Sequence, residues 1–98
     1  MKINWSPLAL DRASEIIDYI SIDNPSVAKR WLNTVFDKVE QLISFPEIGR
    51  IVPEISDSNF REIIYGNYRI IYRIEPTTIS ILTIRHGKQI LPIDEIKL

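Results

Sequence analysis

The sequence predicts an α+β domain in the order β-α-α-β-β-β, with a helical hairpin packed on one face of a small antiparallel sheet. Three observations carry that expectation. Two proline-led helix starts, Ser6-Pro7 and Asn24-Pro25, each precede an amphipathic stretch. From Phe60 onward the chain turns to runs rich in Ile and Tyr, the residues that pack well on a pleated surface. Those runs are broken only at Gly66-Asn67 and Pro76-Thr77, the tight connections of a meander.

Lys2 to Trp5 alternates, with Ile3 and Trp5 on one side, as a short first strand does. Ser6 is suited to cap the first helix and Pro7 to occupy its first position. Ala9, Ala13, Ile16, Ile17 and Ile20 then recur on one helical face, and the helix is expected to end near Ile22. After Asn24-Pro25 a wider apolar stripe runs from Val27 through Trp31, Val35 and Val39 to Ile43. Phe45-Pro46 stops it, because the residue before proline is pushed out of the helical region. Residues 46–54 contain two prolines and no helical period, which predicts a loop brushing an edge strand. Strands are expected at Phe60–Tyr65, Tyr68–Glu75 and Thr78–His86, followed by a mixed apolar tail from Ile90 to Leu98.

At 98 residues and 45% hydrophobic composition, one domain spanning 1–98 with a single core is expected. The absence of cysteine excludes disulfides, thiolate metal sites and cysteine nucleophiles, and a single histidine excludes a histidine-rich metal centre. No cofactor is expected. The Met1–Trp5 segment is too short and polar for a signal peptide, and no run is apolar enough to span a bilayer, so a cytoplasmic location is expected.

Net charge is −1, but it is unevenly spread. Residues 60–88 hold Arg61, Arg69, Arg73, Arg85 and Lys88 against only Glu62 and Glu75, a local net of +3. Such asymmetry points to a partner rather than to a fold. In the middle strand Tyr68, Ile70, Tyr72 and Ile74 share one side, and Arg69, Ile71 and Arg73 the other. The expectation is a second sheet face that offers guanidinium groups outward to an anion or an acidic partner. The competing structural role for Arg69 is a cross-strand ion pair with Glu62. For His86 it is a hydrogen bond to backbone at a strand end, and Arg50 reads as a residue that fixes its loop.

Trp5-Ser6-Pro7, Asn24-Pro25, Phe45-Pro46-Glu-Ile-Gly49-Arg50-Ile-Val-Pro53-Glu54, Arg61-Glu62, Gly66-Asn-Tyr-Arg69-Ile-Ile-Tyr72-Arg73 and Arg85-His86-Gly87-Lys88 occur in one order along nearly the whole chain. That ordered set resembles the RelE/ParE superfamily of toxins from type II toxin–antitoxin pairs. The resemblance implies the same β-α-α-β-β-β fold, a growth-inhibiting toxin linked to plasmid stabilization, and a cognate antitoxin as partner.

Within the superfamily, the Phe-Pro-x-Ile-Gly-Arg run and the long hairpin look more ParE-like. That branch implies poisoning of DNA gyrase by protein–protein contact. The RelE-like alternative implies a metal-independent, ribosome-dependent messenger-RNA endoribonuclease using Arg61, Arg69, Arg85 and His86. Such chemistry needs cations at the scissile phosphate and a proton-transfer group near neutrality. Departures from the nuclease pattern are Lys88-Gln89 after Gly87 and the lack of any tyrosine beyond Tyr72. A decayed, non-toxic family member is a further reading. Partner contacts are expected at Arg69, Arg73, Ile90, Leu91 and Ile93, and a homodimer is left open.

Overall fold

The computed structural model of the chain describes residues 1–87 and 91–95, with Ile93 described in its backbone only. A first strand, β1 (Lys2–Trp5), leads into α1 (Pro7–Asp23) and α2 (Pro25–Glu40). Four further strands follow: β2 (Arg50–Ile51), β3 (Phe60–Tyr65), β4 (Tyr68–Ile74) and β5 (Thr78–His86). Both helix starts form as their caps dictate. The Ser6 hydroxyl accepts from Ala9 N–H, and the Asn24 side chain accepts from Ser26 and Val27 N–H. α2 gives way to a single 3₁₀ turn, Gln41–Ile43, before Phe45-Pro46.

The strands form one sheet in the order β1-β5-β4-β3-β2. β2 to β5 are antiparallel neighbours, but β1 pairs with β5 in parallel, Lys2 opposite Thr78 and Trp5 opposite Ile81. The sheet is therefore mixed, where an antiparallel one was expected. The hairpin α1–α2 separates β1 from the meander, so the chain returns to it running the same way. The 46–54 loop touches β3 through β2, as its sequence suggests.

One face of the sheet carries the main core. Ala9, Ala13, Trp31, Val35, Val39 and Leu42 from the helical layer pack on Ile70, Tyr72, Ile79, Ile81 and Ile84. The opposite face is not bare. Val52, Ile71, Leu82 and Leu91 form a second buried cluster, with Ile55 and Phe60 against it. Part of the face expected to await a partner is thus covered by the chain's own 52–55 loop and by Leu91.

A bulge in β5 decides which of its side chains meets which face. Tyr72 lies opposite Ile81 while Ile71 lies opposite Thr83, leaving Leu82 as the extra residue. Ile79, Ile81 and Ile84 therefore all face the helices, although strict alternation would split them.

Candidate functional site

Arg69 is the centre of the second face, and it is not exposed. Its side chain is 5% accessible, against 0% for Glu62 and 27% for Glu54. Nε donates to Glu62 Oε1 at 2.7 Å, and Nη1 and Nη2 each donate to one oxygen of Glu54 at 2.8 Å. Glu54 is held side-on, the fork-to-carboxylate geometry that a planar guanidinium favours. Those bonds hold the Arg69 pKa above its ordinary value. The bonds from Arg69 likewise pull Glu54 down to about 2, and the Leu91 N–H that it also accepts adds to the effect.

Glu62 completes the arrangement by accepting from Arg50 Nε on its other oxygen. Two arginines and two glutamates thus form a neutral group under the β3–β4 pair. Taking such charges from water is costly, and only full pairing offsets it. Arg69 is therefore buried and paired, not the outward cation expected from its place on the strand. The ion pair with Glu62 holds, and Glu54, fifteen residues away in a loop, supplies the partner that strand spacing did not reveal.

Arg61 is spent on the loop. Nε donates to Ser58 O at 2.9 Å, and Nη1 donates to Glu47 O at 3.1 Å and Gly49 O at 2.9 Å. The same loop is pinned from beneath by Tyr72, whose hydroxyl donates to Pro46 O at 2.6 Å and accepts from Gly49 N–H at 3.0 Å. Burial raises the pKa of that phenol. Gly49 is obligatory here, since a Cβ would stand 2.6 Å from both Glu62 O and the Tyr72 hydroxyl.

Arg85 lies across from Arg69 and meets Glu95, Nη1 to Oε2 at 2.8 Å. Among the described residues, its buried Nε has no hydrogen-bond partner. Glu95 also accepts from Thr83 Oγ1 at 2.8 Å and from Arg12 Nε at 3.4 Å, so one carboxylate ties the tail to β5 and α1. His86 points to the other face, its ring 5.9 Å from that of Tyr68. Arg73 is half-buried with its guanidinium 5.5 Å above the Phe60 ring.

The four residues of the nuclease expectation are therefore dispersed. Arg69 and Arg85 share the second face, Arg61 serves a loop at the sheet edge, and His86 sits on the helical side. Of the expected partner contacts, Leu91 is buried in the second cluster. Ile90 and the Ile93 side chain lie outside the described residues. Glu54 and Glu95 were missed by sequence reasoning. The signal available for them was the rule that a sheet arginine buries only with an acid, which obliged a search beyond the neighbouring strand.

The family model described as the ParE toxin of the type II toxin–antitoxin system parDE matches residues 3–91. The chain belongs to the ParE toxin family. A relative from Sinorhizobium fredii (strain NBRC 101917 / NGR234), named "Putative toxin Y4kP", is 36% identical over 93% of this chain and 93% of its own. Among solved structures, a chain of the chromosomal ParDE toxin–antitoxin system from P. aeruginosa superposes with a TM-score of 0.72. The match covers 90% of this ParE chain and 97% of that one at 20% identity. A chain of the toxin–antitoxin complex RelBE2 from Mycobacterium tuberculosis gives 0.54 at 18% identity, covering 87% and 95%. Both structural likenesses are of fold. Among the described residues of this ParE toxin, no helix is long and apolar enough to cross a membrane.

Proposed function

We propose that this ParE toxin arrests growth by binding a host enzyme, DNA gyrase by the resemblance to its family, and that a cognate antitoxin neutralises it in the cytoplasm. One observation carries the choice against RNA cleavage. The sheet guanidinium at Arg69, on which a nuclease reading depends, is closed between Glu54 and Glu62. A scissile phosphate needs cations free to meet developing charge, and these are already neutralised. Arg61 is engaged by three backbone carbonyls and His86 faces away from Arg69 and Arg85. The family assignment supports the same reading.

Controlled induction in cells tests it. Growth should stop with a DNA-damage response and with transcripts intact. Transcripts cut only while being translated, with no damage response, would overturn the proposal in favour of the endoribonuclease. Unimpaired growth at high expression would favour a member that keeps the fold without toxicity.

A further inference from the structure

Among the described residues, the outer edge of β3 is only half closed. β2 covers it at two positions, Arg50 opposite Glu62 and Ile51 opposite Arg61, and nothing in β2 stands opposite Ile63, Ile64 or Tyr65. Phe60 O accepts from Val52 N–H on that side, so by the two-residue period of a strand the N–H and C=O of Ile64 point outward there too. The side chains around this opening are apolar and exposed: Ile64 at 49% and Ile48 at 59%. They line a cleft of about 300 Å³, whose other walls include Lys38, Arg50 and Glu62. Ile48 also borders a second cleft of about 550 Å³ that continues past Phe45 and Pro46 to Met1 and Ile74.

Unprotected edges of this kind are uncommon, because they invite strand pairing with another chain. Here the charge of the rim selects the visitor. Glu62 is 1% exposed and already holds Arg50 and Arg69. Among the described residues lining this first cleft, the charged groups that reach solvent are therefore Lys38 and the part of Arg50 not held by Glu62, while exposed Glu47 lines the second cleft. Lys38 stands on the helical side, 5.4 Å from the Tyr65 ring centroid, and Arg50 on the opposite side with 59% of its side chain exposed. A second copy of the chain would bring the same cations against these, a like-charge pairing that disfavours self-association at this edge.

We propose that the β3 edge at Ile63–Tyr65 is a docking site for an extended segment of a partner protein that carries apolar and acidic side chains. The segment adds as a short strand on Ile64, places apolar groups against Ile48 and Phe45, and sets carboxylates near Lys38 and Arg50. Backbone pairing of this kind supplies affinity while side chains supply the choice of partner. The inference is independent of which host enzyme the toxin acts on.

Two capped octapeptides test it by amide-resolved NMR titration: one of valine, isoleucine and glutamate, and one with lysine for glutamate. The acidic peptide is expected to move the Ile63, Ile64 and Tyr65 amides and slow hydrogen exchange at Ile64. Its affinity should fall with added salt, and by about ten-fold in Lys38→Glu combined with Arg50→Gln. No response to either peptide would overturn the proposal, as would shifts centred elsewhere or equal binding of the lysine peptide. Pairing of this edge with a second copy would also overturn it. The salt series and the control peptide use the unaltered chain, so a misfolded variant leaves the result decisive.

Discussion

Arg69 and Arg85 stand directly opposite one another on adjacent strands of the same face, and yet each is occupied by a different carboxylate. Like charges opposite each other in a sheet repel. Here the repulsion is relieved from three directions: Glu62 from the neighbouring strand, Glu54 from the loop before it and Glu95 from the tail. The arginines thereby recruit two irregular segments to the sheet. What reads in sequence as a cationic binding face is, in the fold, a means of fastening the 52–55 loop and the tail over the second apolar cluster.

Removing Arg69 should therefore damage the fold. Arg69→Met is expected to lower stability by about 3–5 kcal/mol, because buried Glu62 is left with only the largely exposed Arg50 to meet its charge, and Glu54 loses its side-on partner. Urea denaturation of the purified variant measures this. A loss within about 0.5 kcal/mol, the usual range for an exposed arginine, would show that the pair contributes nothing. Arg69→Lys should restore only part of the loss, since an ammonium cannot hold Glu54 side-on and Glu62 together.

Glu54 makes stability depend on acid. Its folded pKa of about 2 lies well below the ordinary carboxylate range, chiefly through its hydrogen bonds from Arg69. A depressed carboxylate contributes in full above its unfolded pKa, and the contribution is lost as pH falls through the folded one. Stability should decline between roughly pH 5 and pH 2. Glu54→Gln should flatten that decline, as read by denaturation at a series of pH values. Identical slopes for the two proteins would contradict the pairing.

Tyr72 and Gly49 hold the 46–49 loop as a unit. Tyr72→Phe leaves Gly49 N–H and Pro46 C=O without their partner and should cost about 1–3 kcal/mol. Gly49→Ala should cost a similar amount, about 1–3 kcal/mol, because its methyl would need space held by Glu62 O and the Tyr72 hydroxyl. The double variant should lose less than the sum of the two, since both act on one contact. Strict additivity in the thermal or urea measurements would show that they act separately.

Glu95→Gln should loosen the tail without unfolding the sheet. The amide keeps an acceptor for Thr83 but loses the charge that pairs with Arg85 and Arg12. Faster hydrogen exchange at the Leu91 amide, with the β4 and β5 amides unchanged, is the expected result. Unchanged exchange at Leu91 would mean that Glu54 alone holds the tail.

Local signals in this chain were legible, and pairings across long separations were not. Ser6-Pro7 and Asn24-Pro25 start helices because a side-chain acceptor and a fixed φ act within three residues. Gly66 turns the β3–β4 hairpin with φ +57°, which its lack of a Cβ allows. By contrast, the parallel docking of β1 on β5 joins Lys2 to Thr78, and no local pattern encodes it. The facing of β5 was undecidable from alternation because the bulge at Leu82 changes its phase midway. Arg69 was misplaced to the surface for a similar reason, its decisive partner Glu54 being in a loop of no regular period.

The proposed action of this toxin, contact with an enzyme and not cleavage of RNA, has a direct biochemical readout. Supercoiling of relaxed plasmid by purified DNA gyrase, with the purified chain added in increasing amounts, tests it most directly. Supercoiling should be blocked as the chain approaches the enzyme's concentration, while messenger RNA on translating ribosomes stays whole. Undiminished supercoiling, with the same preparation cleaving ribosome-bound RNA, would contradict it.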